Sequence, residues 1–141
     1  LEEIIDTVKS QKSKRDAGDN LKNGTFQELF ADGTLSASGK YVDGEKTGLW
    51  KYYLRNGKLK ATGKYAAGKL VGKWKWYREN GELLQTGEFT ADEKRTGTWK
   101  RYHPNGQLYD EGKYAADQKV GEWKTYDAQG SLSKKKVFKP K

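Results

Sequence analysis

Few side chains in this sequence keep the company that catalysis needs. The one histidine, His103, stands directly before Pro104-Asn105-Gly106, a turn-like run, and the chain has no second histidine and no cysteine with which to share a metal or form a nucleophile–base pair. Asp110 and Glu111 are the nearest thing to a carboxylate pair, but Lys100 and Arg101 fall on the expected facing strand, so cross-strand ion pairing is the simpler chemistry. No Gly-x-Ser-x-Gly elbow or phosphate loop occurs, and the glycines sit at turn positions. Catalytic, cofactor-binding and metal sites are therefore all read as none. What does recur is tryptophan followed by lysine: Trp50-Lys51, Trp74-Lys75, Trp99-Lys100 and Trp123-Lys124, with Trp76 two residues beyond its column. An aromatic ladder beside a comb of cations suits the gripping of an acidic surface, whether protein, anionic lipid or polyanion. These nine residues are the expected partner-binding set.

The elements that must position them follow from a repeat. Gly-x-Trp or Gly-x-Phe steps at Gly24, Gly48, Gly72, Gly97 and Gly121 divide the chain into units of 24 residues, with a single 25. Each has a second glycine nine residues on, a leucine two further, and then Gly-x-Tyr or Gly-x-Phe (Gly39, Gly63, Gly87, Gly112), which the last copy replaces by Lys136 and Phe138. Units of this size stack into solenoids or arrays, which mostly bind rather than catalyse. An aromatic-rich first arm and an alternating second arm, as in Leu59-Lys-Ala61-Thr-Gly63-Lys-Tyr65, read as one β-hairpin per unit. Pro104 and Gln129 favour a three-residue loop ending in a left-handed glycine over a type I′ turn. That loop pairs Tyr53 with Leu59, Tyr77 with Leu83 and Tyr102 with Leu108, on the face of the later Gly and Tyr columns. Trp then points the other way unless the strand is bulged. Links at Asp43-Gly44, Ala67-Gly68, Ala91-Asp92 and Ala116-Asp117 are also turns, with φ above zero expected there.

The expected fold is thus all-β: an elongated, twisted, single-layer antiparallel meander of about five hairpins, preceded by a short N-terminal helix. Leu1, Ile4, Ile5 and Val8 have helical spacing, so residues 1–23 are read as a leader with a capping helix and residues 24–141 as the repeat domain (24–47, 48–71, 72–96, 97–120, 121–141). With 33% hydrophobic and 13% aromatic residues, the chain suits a thin structure packed by rings rather than a thick core. No stretch is long and apolar enough for a membrane-spanning helix. The absence of Met places residue 1 inside its gene product, compatible with removal of an upstream signal or anchor. Of the net charge of +9, residues 48–71 contribute six Lys or Arg and no acid, and residues 121–141 contribute six against two acids. The tail Lys134-Lys135-Lys136 is the expected lipid contact if the partner is a membrane. Alternating Trp, Lys and Tyr also invites comparison with single-strand stacking platforms, but no RRM, OB or KH signature is present, so nucleic acid is set aside.

Gly-x-Trp-x-x-Tyr, then x-Asn-Gly-x-Leu, then Gly-x-Tyr, resembles the MORN repeat, the membrane occupation and recognition nexus unit, and most closely its bacterial variant often labelled as an antitoxin family. The resemblance covers residues 24–138. It implies a non-enzymatic scaffold for a protein partner through the aromatic and basic face. Its alternatives are a peripheral module for anionic membranes and an antitoxin-like partner of a toxin. The reading is of a bacterial protein whose compartment, cytoplasm or cell envelope, is left open, and the open sheet edges of the expected meander leave room for oligomers.

Overall fold

The computed structural model describes residues 14–139. Ten strands follow one another: β1 (Gly24–Leu29), β2 (Leu35–Val42), β3 (Glu45–Tyr53), β4 (Leu59–Ala66), β5 (Lys69–Tyr77), β6 (Leu83–Phe89), β7 (Arg95–Tyr102), β8 (Leu108–Ala115), β9 (Gln118–Tyr126) and β10 (Leu132–Phe138). They form one antiparallel sheet in sequence order, the all-β meander expected from the repeat. Neighbouring strands lie about 4.8 Å apart, so each hairpin advances the sheet by ~9.6 Å.

The short N-terminal helix needs correction, because the described residues contain no helix. Residues 1–10, where it was expected, lie outside the described part. The described end of the leader is instead a small β-turn structure, with an antiparallel bridge between Arg15 and Leu21. The Asp16 carboxylate accepts hydrogen bonds from the Gly18 and Asn20 amides and closes this turn. Lys14 then pairs with Glu45 at 2.8 Å, and the Gly44 amide donates to the Lys22 carbonyl, which seats the leader on the link between β2 and β3.

Within each hairpin the loop is the expected three-residue one. The Leu54 amide donates to the Lys58 carbonyl and the Gly57 amide to the Leu54 carbonyl, and the same pair of bonds recurs at every hairpin. Tyr53 consequently stands opposite Leu59. The next pair is Tyr52 with Ala61, leaving Lys60 as an extra residue, a β-bulge repeated at Ser36, Leu84, Tyr109 and Ser133. The bulge corrects the expected faces. Tyr53 and Leu59 lie on the opposite side from Gly63 and Tyr65, and Trp50 falls opposite Gly63, on the side of the Gly and Tyr columns. The link turns also divide: Gly44, Gly68 and Asp117 have positive φ as expected, and so do Asp43, Ala67 and Ala116 before them, but in the 25-residue unit the left-handed residue is Glu93 rather than Asp92. The additional residue there makes a three-residue loop, with the Thr90 amide donating to the Lys94 carbonyl and the Glu93 amide to the Thr90 carbonyl.

A one-layer sheet has no second layer to bury its rings, and the tryptophans solve this by lying flat on backbone. Trp50, Trp74, Trp99 and Trp123 cover Gly39, Gly63, Gly87 and Gly112 of the preceding strand so closely that a Cβ on Gly63 would lie 2.0 Å from the Trp74 ring. Each indole also meets Tyr41, Tyr65, Phe89 or Tyr114 edge to face, with centroids 5.1 to 5.3 Å apart. Such pairs add about 0.5–1.5 kcal/mol each beyond the area they bury. The Trp50, Trp74 and Trp123 indole N–H groups donate to the carbonyls of Lys40, Lys64 and Lys113, whereas Trp99, after the longer link, turns to the Thr96 carbonyl.

Candidate functional site

Adjacent strand residues point to opposite faces, so each Lys that follows a packed Trp must lie on the outer side of the sheet. Register joins these lysines into one row across all ten strands: Gln27, Ser38, Lys51, Thr62, Lys75, Thr86, Lys100, Glu111, Lys124 and Lys135 are successive cross-strand partners. Lysines on alternate strands are ~9.6 Å apart. Between Lys51, Lys75 and Lys100 stand only Thr62 and Thr86, whose hydroxyls carry no charge. None of these three lysines has an ion pair among the described residues. Further along, Glu111 enters the row, and Glu122 approaches Lys124 at 3.5 Å and Lys135 at 3.6 Å, so that end is neutralised. An open groove of about 510 Å³ in the same stretch is lined by Lys73, Lys75 and Lys100 with one acid, Glu88, among them.

The nine expected partner-binding residues therefore separate. Lys51, Lys75, Lys100 and Lys124 share the outer face, while Trp50, Trp74, Trp76, Trp99 and Trp123 are buried on the inner one, from 0% exposed at Trp50 to 8% at Trp123. Trp76 is packing too: it stacks between Trp74 at 6.0 Å and Trp99 at 5.8 Å. Asp110 and Glu111 also face opposite ways, and Asp110 is held by Arg101, whose Nη2 lies 2.6 Å from its carboxylate. His103 donates from Nε2 to the Tyr126 carbonyl at 2.8 Å, and the Arg78 guanidinium bonds the Tyr102 carbonyl at 2.8 Å, so these side chains tie successive hairpin loops together.

One inner-face column went unnoticed in the sequence. Two residues before each Gly-x-Trp or Gly-x-Phe step stand Lys22, Lys46, Leu70, Arg95 and Lys119. The cations lie over rings, among them Lys46 at 5.0 Å from Trp50 and Arg95 at 4.6 Å from Tyr114. Their period of 24 or 25 residues is in the sequence, but Leu70 breaks the charge pattern and nothing local shows that the side chains turn inward. Lys46 is the most enclosed, and burial holds its pKa down to about 8, with Glu28 working to raise it and Lys22 to lower it.

The repeat geometry has a counterpart among known families. The MORN repeat variant matches residues 46–67, 70–91, 95–116 and 119–139, each covering one hairpin from its first arm through the three-residue loop to its second arm. The chain belongs to the MORN repeat variant family. MORN repeats are a non-catalytic repeat type that builds scaffolds for protein or membrane interaction. The first hairpin, with Phe26 and Leu29 in place of Trp and Tyr, is outside the matched MORN segments. Comparison with curated protein sequences gives no match. Among solved structures, the MORN sheet is similar to a point mutant of S. aureus TarM in complex with fondaparinux, alpha-GlcNAc-glycerol and UDP, at 10% identity and TM-score 0.46 over 84% of this chain. It is also similar to a GtfA/B complex bound to UDP and GlcNAc, at 16% identity and TM-score 0.38 over 67% of this chain. The chain spans 22% of the length of each of these proteins. In the last MORN unit, Lys134 and Lys136 point to the inner face and Lys135 to the outer one, following the register with Thr125, Trp123 and Lys124.

Proposed function

We propose that this chain is a binding scaffold whose outer face, centred on Lys51, Lys75 and Lys100, docks an acidic surface of a protein partner. The observation that carries this reading is the uninterrupted Lys–Thr–Lys–Thr–Lys part of the cross-strand row. Three ammonium groups at a fixed ~9.6 Å spacing on a rigid sheet present a field that a carboxylate-rich surface can meet without ordering the lysine backbone first. The tail lysines form no such row, because they alternate between faces.

The test is a double charge reversal, Lys51→Glu with Lys75→Glu, both at exposed positions. Substitutions of this kind change stability by about 0.5 kcal/mol or less each, so the variant is expected to melt almost as the parent does. Bait protein is incubated with extract of the native host, and captured proteins are identified by mass spectrometry at low and high salt. A salt-sensitive acidic protein retained by the parent and lost from the variant is the expected result. Retention by both proteins would overturn the reading. So would sedimentation of the parent with phosphatidylserine vesicles, abolished by the same reversal and without any captured protein, which would assign the face to lipid.

A further inference from the structure

A second row of cross-strand partners runs along the inner face: Ala37, Tyr52, Ala61, Trp76, Gln85, Arg101, Asp110 and Thr125. Up to Trp76 the large rings of this row fill the space beside the tryptophan column. Tyr52 stacks on Trp50 at 6.1 Å and Trp76 on Trp74 at 6.0 Å. Beyond Trp76 the filler stops, because the position of Tyr52 and Trp76 is taken by Arg101 and that of Ala61 by Asp110. A cavity of about 210 Å³ opens there, against Trp99 and Tyr114.

The polar groups around this cavity do not cancel. Arg101 is matched by Asp110 at 2.6 Å, and Arg95 by Asp117 at 2.5 Å. Lys119, also in the wall, lies over the rings of Trp123 at 4.6 Å and Phe138 at 5.5 Å and has no carboxylate partner among the described residues. Gln85 is 3% exposed, and its side-chain Nε2 makes no hydrogen bond. A buried amide donor left unpaired costs about 1–3 kcal/mol, and the Lys119 ammonium, exposed on the same cavity wall, adds an attraction for negative charge. The buried amide calls for an acceptor, and the ammonium favours a negatively charged one.

We propose that this cavity binds a single carboxylate group, with Lys119 supplying the opposing charge and the Gln85 amide a hydrogen-bond donor, while Trp99 and Tyr114 pack the carbon chain that bears it. The carboxylate is that of a small free acid or of an acidic side chain on a protein. This site is on the face opposite the lysine row and does not depend on it.

Two probes separate the sources: glutarate, and a Gly-Ser peptide carrying one glutamate. Binding to the full chain is followed through the Trp99 indole N–H and Gln85 side-chain amide resonances. Saturable shifts with glutarate assign the site to small acids, and shifts with the peptide alone assign it to an acidic side chain. In either case Gln85→Leu and Lys119→Gln are each expected to weaken binding by roughly tenfold or more, the scale of a lost hydrogen bond to a charged group. Gln85→Leu is also expected to leave the melting temperature unchanged or higher, since it removes an unpaired donor. The Lys51→Glu, Lys75→Glu variant is expected to bind as the parent does. No saturable shift with either probe overturns the proposal, as does unchanged affinity in the Gln85→Leu protein.

Discussion

Gly63→Ala is expected to destabilise the protein by about 3 kcal/mol, the upper end of what overpacking costs, and by more if the Trp74 ring cannot shift. The added methyl would stand 2.0 Å from Trp74 Cδ2 and 2.3 Å from Cε2, against a fused ring that is 1% exposed and hemmed in by Tyr65 and Trp76. Neither neighbour can yield without disturbing the next repeat, because Trp76 stacks on Trp99 in turn. For a chain of this size the loss corresponds to a fall of roughly 10 °C in melting temperature. Trp74→Ala should cost about 3–5 kcal/mol by removing the ring itself. The double variant decides the cause: with the ring gone, the alanine at 63 has nothing to strike, so its added cost should be close to zero and the two effects strongly non-additive. Thermal melts of the two single variants and the double variant measure this coupling. Additive losses would show that Gly63 acts through its backbone rather than through close approach.

The second large effect concerns pH. Lys46 is 8% exposed, with Nζ 2.8 Å from the Tyr52 hydroxyl and 5.4 Å from the Tyr65 ring, and burial holds its pKa at about 8 instead of 10.5. Between these values the unfolded chain binds more protons than the folded one, so stability rises with pH across the window and is lost as pH falls through 8. The full span is worth about 3 kcal/mol. Tyr41, Tyr52 and Tyr65 work in the opposite sense: burial raises each of them above the ordinary 10.0, so the folded state keeps protons that the unfolded chain releases at higher pH. Stability should therefore peak between pH 8 and 10, higher than is usual for a globular domain. Lys46→Leu imitates Leu70, which fills the same column position and is fully buried. It should raise stability at neutral pH by about 2 kcal/mol and remove the rising limb. Urea titrations across the alkaline range test both statements, and a parent curve that is flat from neutrality to pH 10 would contradict them.

The sequence read the hairpin loops well because their chemistry is local. Pro104 and Gln129 exclude the tighter turn, and the observed pairing of Tyr102 with Leu108 follows from that choice alone. It read the faces less well, because the bulge at Lys60 and its equivalents carries no residue signature: Ser36, Lys60, Leu84, Tyr109 and Ser133 share neither size nor charge. The candidate site divided for the same reason. Trp50 and Lys51 are neighbours in the chain, yet the pleat sends one into the core and the other to solvent.

What the sequence alone determined was the unit, its length, its two arms and its loop, since each depends on residues within a few positions of one another. The tertiary structure decided which side of the sheet became the core and what remained for binding. That outcome rests on contacts between strands: an indole of one hairpin needs a bare glycine on the preceding one, as Trp74 needs Gly63. Once those rings lie down inside, alternation leaves Lys51, Lys75 and Lys100 aligned on the outside, and register turns residues 24 or 25 positions apart into a single charged row.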